Sequence, residues 1–160
     1  MDYLIRPAQA KDVTAMLGLI QELADFEKEP DAVNINEAAL LEFGFGENPL
    51  YHCFVAEAEG QVIGMALVYF KFSTWNGKAL HLEDLVVSAD MRGKGIGEAL
   101  LNRVVQFGKE NKVKRIGWVV LDWNKGAIKF YEQKGANIYT NWNIAQLDEQ
   151  TIATFNTLNE

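Results

Sequence analysis

The order of apolar patterns along this chain predicts an α/β fold with a mixed sheet. Three observations carry that prediction. Strand-like apolar runs alternate with segments of helical period in the order βααβββαβαβα. Three of the strands are consecutive, and the first two are joined by a short hairpin signal. A glycine-rich turn, Arg92-Gly93-Lys94-Gly95-Ile96-Gly97, then links the third to a helical pattern.

Each element has its own signal. "DYLIR" (2–6) reads as a first strand closed by Pro7. From Asp12, a candidate N-cap, the residues Val13, Met16, Leu17, Ile20, Leu23 and Ala24 recur at helical spacing. "NEAALLEF" (36–43) reads as a short second helix, stopped near Gly44 and Gly46. "YHCFVAEA" (51–58) and "VIGMALVYFKF" (62–72) flank Glu59-Gly60-Gln61 as a hairpin, and "ALHLEDLVV" (79–87) leads into the glycine turn. The next helix gathers Ile96, Leu100, Val104 and Phe107 on one side. "RIGWVVL" (115–121) predicts a buried strand, "KGAIKFYEQKG" (125–135) a helix stopped by Gly135, "NIYTNWNIAQL" (137–147) a late strand, and "DEQTIATFNTL" (148–158) a closing helix.

The 160 residues suit one domain, 1–160, with a continuous core. The single cysteine, Cys53, excludes an internal disulfide and fits a reducing compartment. The first residues lack the basic and apolar regions of a signal peptide. The longest apolar run, "VIGMALVYF", is far short of the roughly 20 residues a membrane helix needs. A soluble, cytoplasmic protein is therefore expected, with no membrane partner. A formal net charge of −7 repels phosphate backbones, so nucleic acid is not expected as a partner and small cations are better suited.

The glycine turn admits three readings: an anion cradle, a close-packed neighbour, or a tight bend. Backbone N–H groups between a strand and a helix suit an anion, and Arg92 and Lys94 reverse the local charge of an acidic chain. The spacing Gly93, Gly95, Gly97 does not match the dinucleotide pattern G-x-G-x-x-G, and no P-loop is present. It does fill the pattern [RQ]-x-x-G-x-[GA] with Arg92, Gly95 and Gly97.

That pattern, together with "IRPA", "FGFGENPLYHC", "STWNGKALHLEDLVV" and "DWNKGAIKFYEQKGA", resembles the spermidine/spermine acetyltransferase branch of the GNAT superfamily. "STWNGK" is similar to the thialysine N-ε-acetyltransferases within it, and the resemblance covers the chain to about Ala136. It implies a GNAT fold with a central sheet of about six to seven strands flanked by helices. It also implies acetyl-CoA as cosubstrate, no metal, and a homodimer in which the C-terminal strand and helix are exchanged or packed across the interface.

The resemblance assigns the residues as follows. Arg92, Gly93, Lys94, Gly95, Ile96, Gly97 and Glu98 would wrap the pyrophosphate, and the backbone of Leu85, Val86 and Val87 would hydrogen-bond the pantetheine arm. Asn124, Lys125, Gly126 and Ala127 form the asparagine-led cofactor loop. Tyr131 would be the general acid at the sulfur, and it also contacts the cofactor. A phenol of ordinary pKa about 10 is protonated at neutral pH, which suits that role; by itself Tyr131 reads as an amphipathic core residue beside Phe130, and the surrounding motifs favour the acid. Phe26, Glu27, Ser73, Thr74 and Trp75 fall where the family touches the amine. Phe26 reads as well as a helix-end core residue.

Glu83 and Asp84 are paired carboxylates in a strand otherwise fit for burial, a placement that needs a cation or hydrogen bonds. Adjacent strand residues point to opposite faces, so both reach one pocket only if the strand is bulged, as the family's is. Glu83 ranks above Asp84 as the carboxylate at the reacting amine, relaying its proton through water. Cys53, His52 and His81 read as packing or locally hydrogen-bonded residues.

The sequence departs from the family after Asn124, where Lys125-Gly126-Ala127 replaces acidic–proline–serine, and before Trp75, where an acidic residue is missing. Fewer anions favour a lysine-like or diamine substrate over a long polyamine. The expected function is acetyl transfer from acetyl-CoA to a primary amine by direct attack in a ternary complex. The rival readings are acetylation of a protein N-terminus or lysine, and a non-catalytic acyl-CoA or polyamine sensor.

Overall fold

In a computed structural model, which describes residues 2–155, the sheet has five strands in the order β1-β2-β3-β4-β5. They are β1 (Leu4–Pro7), β2 (His52–Ala58), β3 (Gln61–Ser73), β4 (Gly77–Val87) and β5 (Ile116–Gly117). β1 to β4 pair antiparallel, and β5 joins β4 in parallel. The helices are α1 (Val13–Phe26), α2 (Glu37–Phe45), α3 (Ile96–Glu110), α4 (Lys125–Gln133) and α5 (Glu149–Thr154). The chain divides into two compact units, one through Val119 and one from Val120 onward.

In the first unit, one face of the sheet buries Cys53, Val55, Met65, Leu67 and Val86 against Val13, Met16 and Leu19 of α1 and Leu40 of α2. α3 covers the other face, where Phe107 stacks with His52, Phe54 and Phe70. His52 is a packing residue there, and Cys53 is buried, its thiol pushed up by desolvation. Gly64 is required at this crossing, because a Cβ would stand 2.9 Å from the Val86 carbonyl oxygen and 3.3 Å from Leu100 Cδ1. The β2–β3 hairpin turns on Glu59 and Gly60, both at positive φ, the type I′ geometry that matches strand twist.

Three expectations are corrected. Asp12 does not cap α1 with its side chain. Its carboxylate instead accepts hydrogen bonds from Arg6 Nη1 at 2.7 Å and Nη2 at 2.9 Å and from the Gln9 N–H at 2.7 Å. Arg6 also reaches Glu57 at 2.7 Å, so one guanidinium ties β1 to β2 and to the entry of α1. Of the apolar run 115–121, only Ile116 and Gly117 join the sheet. The run 137–147 forms no strand, which leaves five strands rather than six or seven among the described residues. Apolar and β-branched composition alone does not make a strand, because β-propensity reflects packing in context rather than an intrinsic backbone preference.

In the second unit, α4 is capped by Asn124, whose Oδ1 accepts the Ala127 N–H at 3.1 Å. It stops at Gly135 (φ 86), with the Ala136 N–H returning to the Tyr131 carbonyl at 3.1 Å. α5 is capped by Asp148, which accepts the Thr151 N–H at 2.7 Å. The remainder of the predicted closing helix lies outside the described residues.

Candidate functional site

The decisive local feature is a bulge in β4. Leu67 stands opposite Asp84, whereas Val68 stands opposite Leu82, so Glu83 has no counterpart on β3. Residues directly opposite share a face. Tyr69 faces His81, Leu67 faces Asp84 and Met65 faces Val86, which puts His81, Asp84 and Val86 on the α1 face despite their mixed parity. The inserted Glu83 leans to the same side, with Oε2 at 3.4 Å from His81 Nε2 and close enough to Tyr69 that burial and the Glu83 charge together raise its phenol. The two carboxylates therefore approach one region, as the family's bulged strand implied.

Their environments differ. Glu83 is about half exposed, 52% of its side chain reaching solvent. Asp84 lies deeper, and desolvation, with the charges of Glu83 and Glu27 added, pushes its pKa up to about 6. Glu27, at the end of α1, is itself raised by burial. Three carboxylates thus converge where α1 ends against β4, and the repulsion among them favours an arriving cation.

The turn after β4 is built for a backbone that must bend sharply. Gly93 and Gly95 have φ of 74° and 81°, and Gly95 is the N-cap of α3. Gly97 is different. It lies within α3, and a Cβ there would make only ordinary contact, 3.8 Å from Val87 Cγ2. The fold accepts a side chain at this position, so the absence of one has another reason. β4 also offers an open edge: β5 pairs with it only at Leu80 and His81, leaving the stretch through Leu85, Val86 and Val87 without a sheet partner on that side among the described residues.

The two cations of the turn are exposed, yet each is engaged by groups of the chain itself. Arg92 donates from Nε to the Val87 carbonyl at 3.0 Å and from Nη2 to Glu22 at 3.4 Å, and its guanidinium lies 5.2 Å from the centre of the Phe26 ring. Glu22 also accepts the Ala89 N–H at 2.6 Å. Lys94 donates to the Asp90 carbonyl at 3.1 Å. Sequence reading missed Glu22, because a single glutamate on an exposed helix face carries no signal until the tertiary fold brings α1 to the turn.

The hairpin residues Ser73, Thr74 and Trp75 lie elsewhere. Ser73 is buried, and its Oγ accepts the N–H groups of Trp75 and Asn76 at 3.3 Å, bracing the turn. Trp75 is 80% exposed at the tip. Gly77 and Glu83 are six positions apart along β4, so the tip is roughly 20 Å from Glu83.

In the second unit, Asn124 and Ala127 meet through the cap described above, with Lys125 and Gly126 opening the helix. Tyr131 is buried, and desolvation raises its phenol to about 12.

The profile described as "Acetyltransferase (GNAT) family" matches residues 17–136. The chain belongs to the GNAT acetyltransferase family. The curated GNAT relatives include the thialysine N-epsilon-acetyltransferase of Bos taurus, 42% identical over 145 residues, 86% of this chain and 85% of that one. That of Mus musculus is 41% identical over 144 residues, 85% of each chain. The spermidine/spermine N(1)-acetyltransferase-like protein 1 of Homo sapiens is 39% identical over 85% of this chain and 21% of its own length. Among solved structures, an integron cassette protein from the mobile metagenome of V. cholerae superposes with a TM-score of 0.78 at 22% identity, covering 97% and 98% of the two chains. The fold is thus the GNAT α/β fold, and the protein is an N-acetyltransferase of a family whose cosubstrate is acetyl-CoA. Among the described residues, no helix is long and apolar enough to cross a membrane.

Proposed function

We propose that this GNAT enzyme transfers the acetyl group of acetyl-CoA to a primary amine of a small cation of thialysine, lysine or short-diamine type, by direct attack in a ternary complex. The observation that carries this reading is the convergence of Glu27, Glu83 and Asp84 at the β4 bulge, an anionic cluster suited to an ammonium group. The names of the relatives that match most of the chain support the substrate class.

Acetyl-CoA supplies a thioester carbonyl and a thiolate leaving group. The open edge at Leu85–Val87 and the turn from Arg92 to Glu98 fit its pantetheine and pyrophosphate, and the bare Cα of Gly97 leaves room for a close approach. The Asn124–Ala127 helix start belongs to the same cofactor assignment. Asp84 and Glu27 hold the ammonium. Glu83, the exposed member, accepts the amine's proton through water, so that the neutral nitrogen can attack the carbonyl. Tyr131 donates its phenolic proton to the sulfur as the carbon–sulfur bond breaks; burial keeps that proton in place at neutral pH. Phe26, stacked near Arg92, borders the amine region.

The exposed tip with Thr74 and Trp75 stands too far along the hairpin to touch the same ammonium, so its substrate contact is assigned to the neighbouring copy of a homodimer. The same reading places the enzyme in the cytoplasm, where the lone thiol of Cys53 stays reduced.

The test is thiol release from acetyl-CoA with thialysine, lysine, diaminopropane, putrescine and spermidine. Fastest turnover with the lysine-like amines is expected. Tight acetyl-CoA binding with no turnover of any amine would leave a sensor instead, and acetylation confined to protein amines would exclude the small-cation reading. Glu83→Gln should lose most turnover near neutral pH, and an unchanged pH–rate profile would remove Glu83 from the proton path.

A further inference from the structure

His81 is the one residue of the bulged region for which the functional reading above has no use. It faces Tyr69 across β3 and β4, the two rings 5.0 Å apart and tilted by 38°. Its Nε2 stands 3.4 Å from Glu83 Oε2, and the Tyr69 phenol, raised by burial, lies within reach of the same charge, which raises it further. Its Nδ1 is buried and has no hydrogen-bond partner.

These facts choose between the two neutral tautomers. With the proton on Nδ1, a buried donor would go unpaired, and the Nε2 lone pair would point at a carboxylate; both arrangements cost free energy. With the proton on Nε2, the N–H stands 3.4 Å from the Glu83 carboxylate, a favourable electrostatic contact, and only an acceptor lone pair is left unmatched at Nδ1, the more tolerable omission in buried structure. The cation would restore the unpaired Nδ1–H. Its surroundings are divided: burial and Lys71 of β3 oppose the charge, and Glu83 favours it.

We propose that His81 is a positioning residue, neutral and protonated on Nε2, which with Tyr69 clamps the Glu83 carboxylate in the orientation that faces the amine. The bulge gives Glu83 no counterpart on β3, so its carboxylate is flanked instead by His81, two residues back on β4, and by Tyr69, which faces His81 from β3. A clamp of this kind leaves the remaining lone pairs directed away from the sheet, toward the water that carries the amine's proton. The proposal rests on the assignment of Glu83 given above, and its test separates the two.

The first arm is nitrogen NMR of the His81 ring in the intact enzyme, between about pH 5.5 and 8, where the histidine cation and its tautomers are resolved. A persistent Nε2–H tautomer whose shifts change in Glu83→Ala is expected; an Nδ1–H ring, or a cation at neutral pH, would overturn the proposal. The second arm is kinetics. His81→Phe keeps an aromatic ring against Tyr69 but removes the donor, and should lower kcat about 10-fold with the amine KM changed less than about two-fold. His81→Asn, which restores an N–H donor, should recover part of that loss. Wild-type kcat and pH profile in a folded His81→Phe enzyme would overturn the clamp, and the NMR arm decides the matter if that variant does not fold. Full turnover by Glu83→Ala would overturn the Glu83 assignment and the purpose of the clamp together. An inactive Glu83→Ala combined with an Nδ1–H ring would overturn His81 alone.

Discussion

Asp84 and Tyr131 show how burial tunes two groups of opposite function. The Asp84 carboxyl moves from its ordinary 3.8 to about 6 because desolvation and the charges of Glu83 and Glu27 disfavour its anion. Between about pH 4 and 6 the folded chain holds a proton there that the unfolded chain has released, so stability falls as pH rises through that window. Asp84→Asn removes the penalty. Its melting temperature should exceed the wild type's at pH 7 by roughly 2–6 °C, as expected for about 1–2 kcal/mol, with little difference at pH 4. Equal melting temperatures at both pH values would contradict the burial argument. Tyr131 is raised to about 12 by the same desolvation, which keeps its proton available across the working pH range. Tyr131→Phe should lower kcat by about 10²-fold while leaving the alkaline limb near neutrality unmoved. Neither shift could be read from the sequence, since each comes from what surrounds the side chain. The identity of the residues was legible, in "HLEDLVV" and "KFYEQKG".

The strand–turn–helix from β4 to α3 is the element where local geometry and ligand demand can be pulled apart. Gly95, at φ 81°, holds a conformation that costs other residues about 1 kcal/mol, and Gly97, inside the helix, does not. Gly95→Ala should therefore lower the melting temperature. Gly97→Ala should leave it unchanged or raise it slightly, because alanine is the better helix former, yet raise the KM for acetyl-CoA several-fold. Parallel changes in stability and KM for both variants would mean that Gly97 also serves the fold. The three consecutive strands, the hairpin turn and α3 were legible because period and turn chemistry are local. The bulge was legible only through the resemblance, since nothing in the alternation of "ALHLEDLVV" marks which residue is the extra one. The late strand differs from expectation because "NIYTNWNIAQL" has the composition of a strand, and composition does not fix pairing.

At the scale of the whole molecule, charge is distributed by function. A chain of net charge −7 places Arg92 and Lys94 in the turn assigned to an anion and gathers three carboxylates in the region proposed for the cation. Arg92, tied to Glu22 and stacked near Phe26, joins the end of α1 to the cofactor turn, so the halves of the site assigned to the two substrates share one guanidinium. The net charge is legible in the composition, but the engagement of the turn's own cations is not, since it depends on the fold.

The raised carboxyl of Asp84 has a consequence for heat and proton exchange as well as for rate. Near pH 6 about half of the free enzyme carries that proton. An ammonium entering beside it stabilises the anion and expels the proton into the buffer before any acetyl group moves. The enthalpy of amine binding measured at pH 6 should then scale with the ionisation enthalpy of the buffer, with a fraction of a proton released per site, and that dependence should vanish in Asp84→Asn. The site would thus exchange one cation for another, and a calorimeter would register the trade.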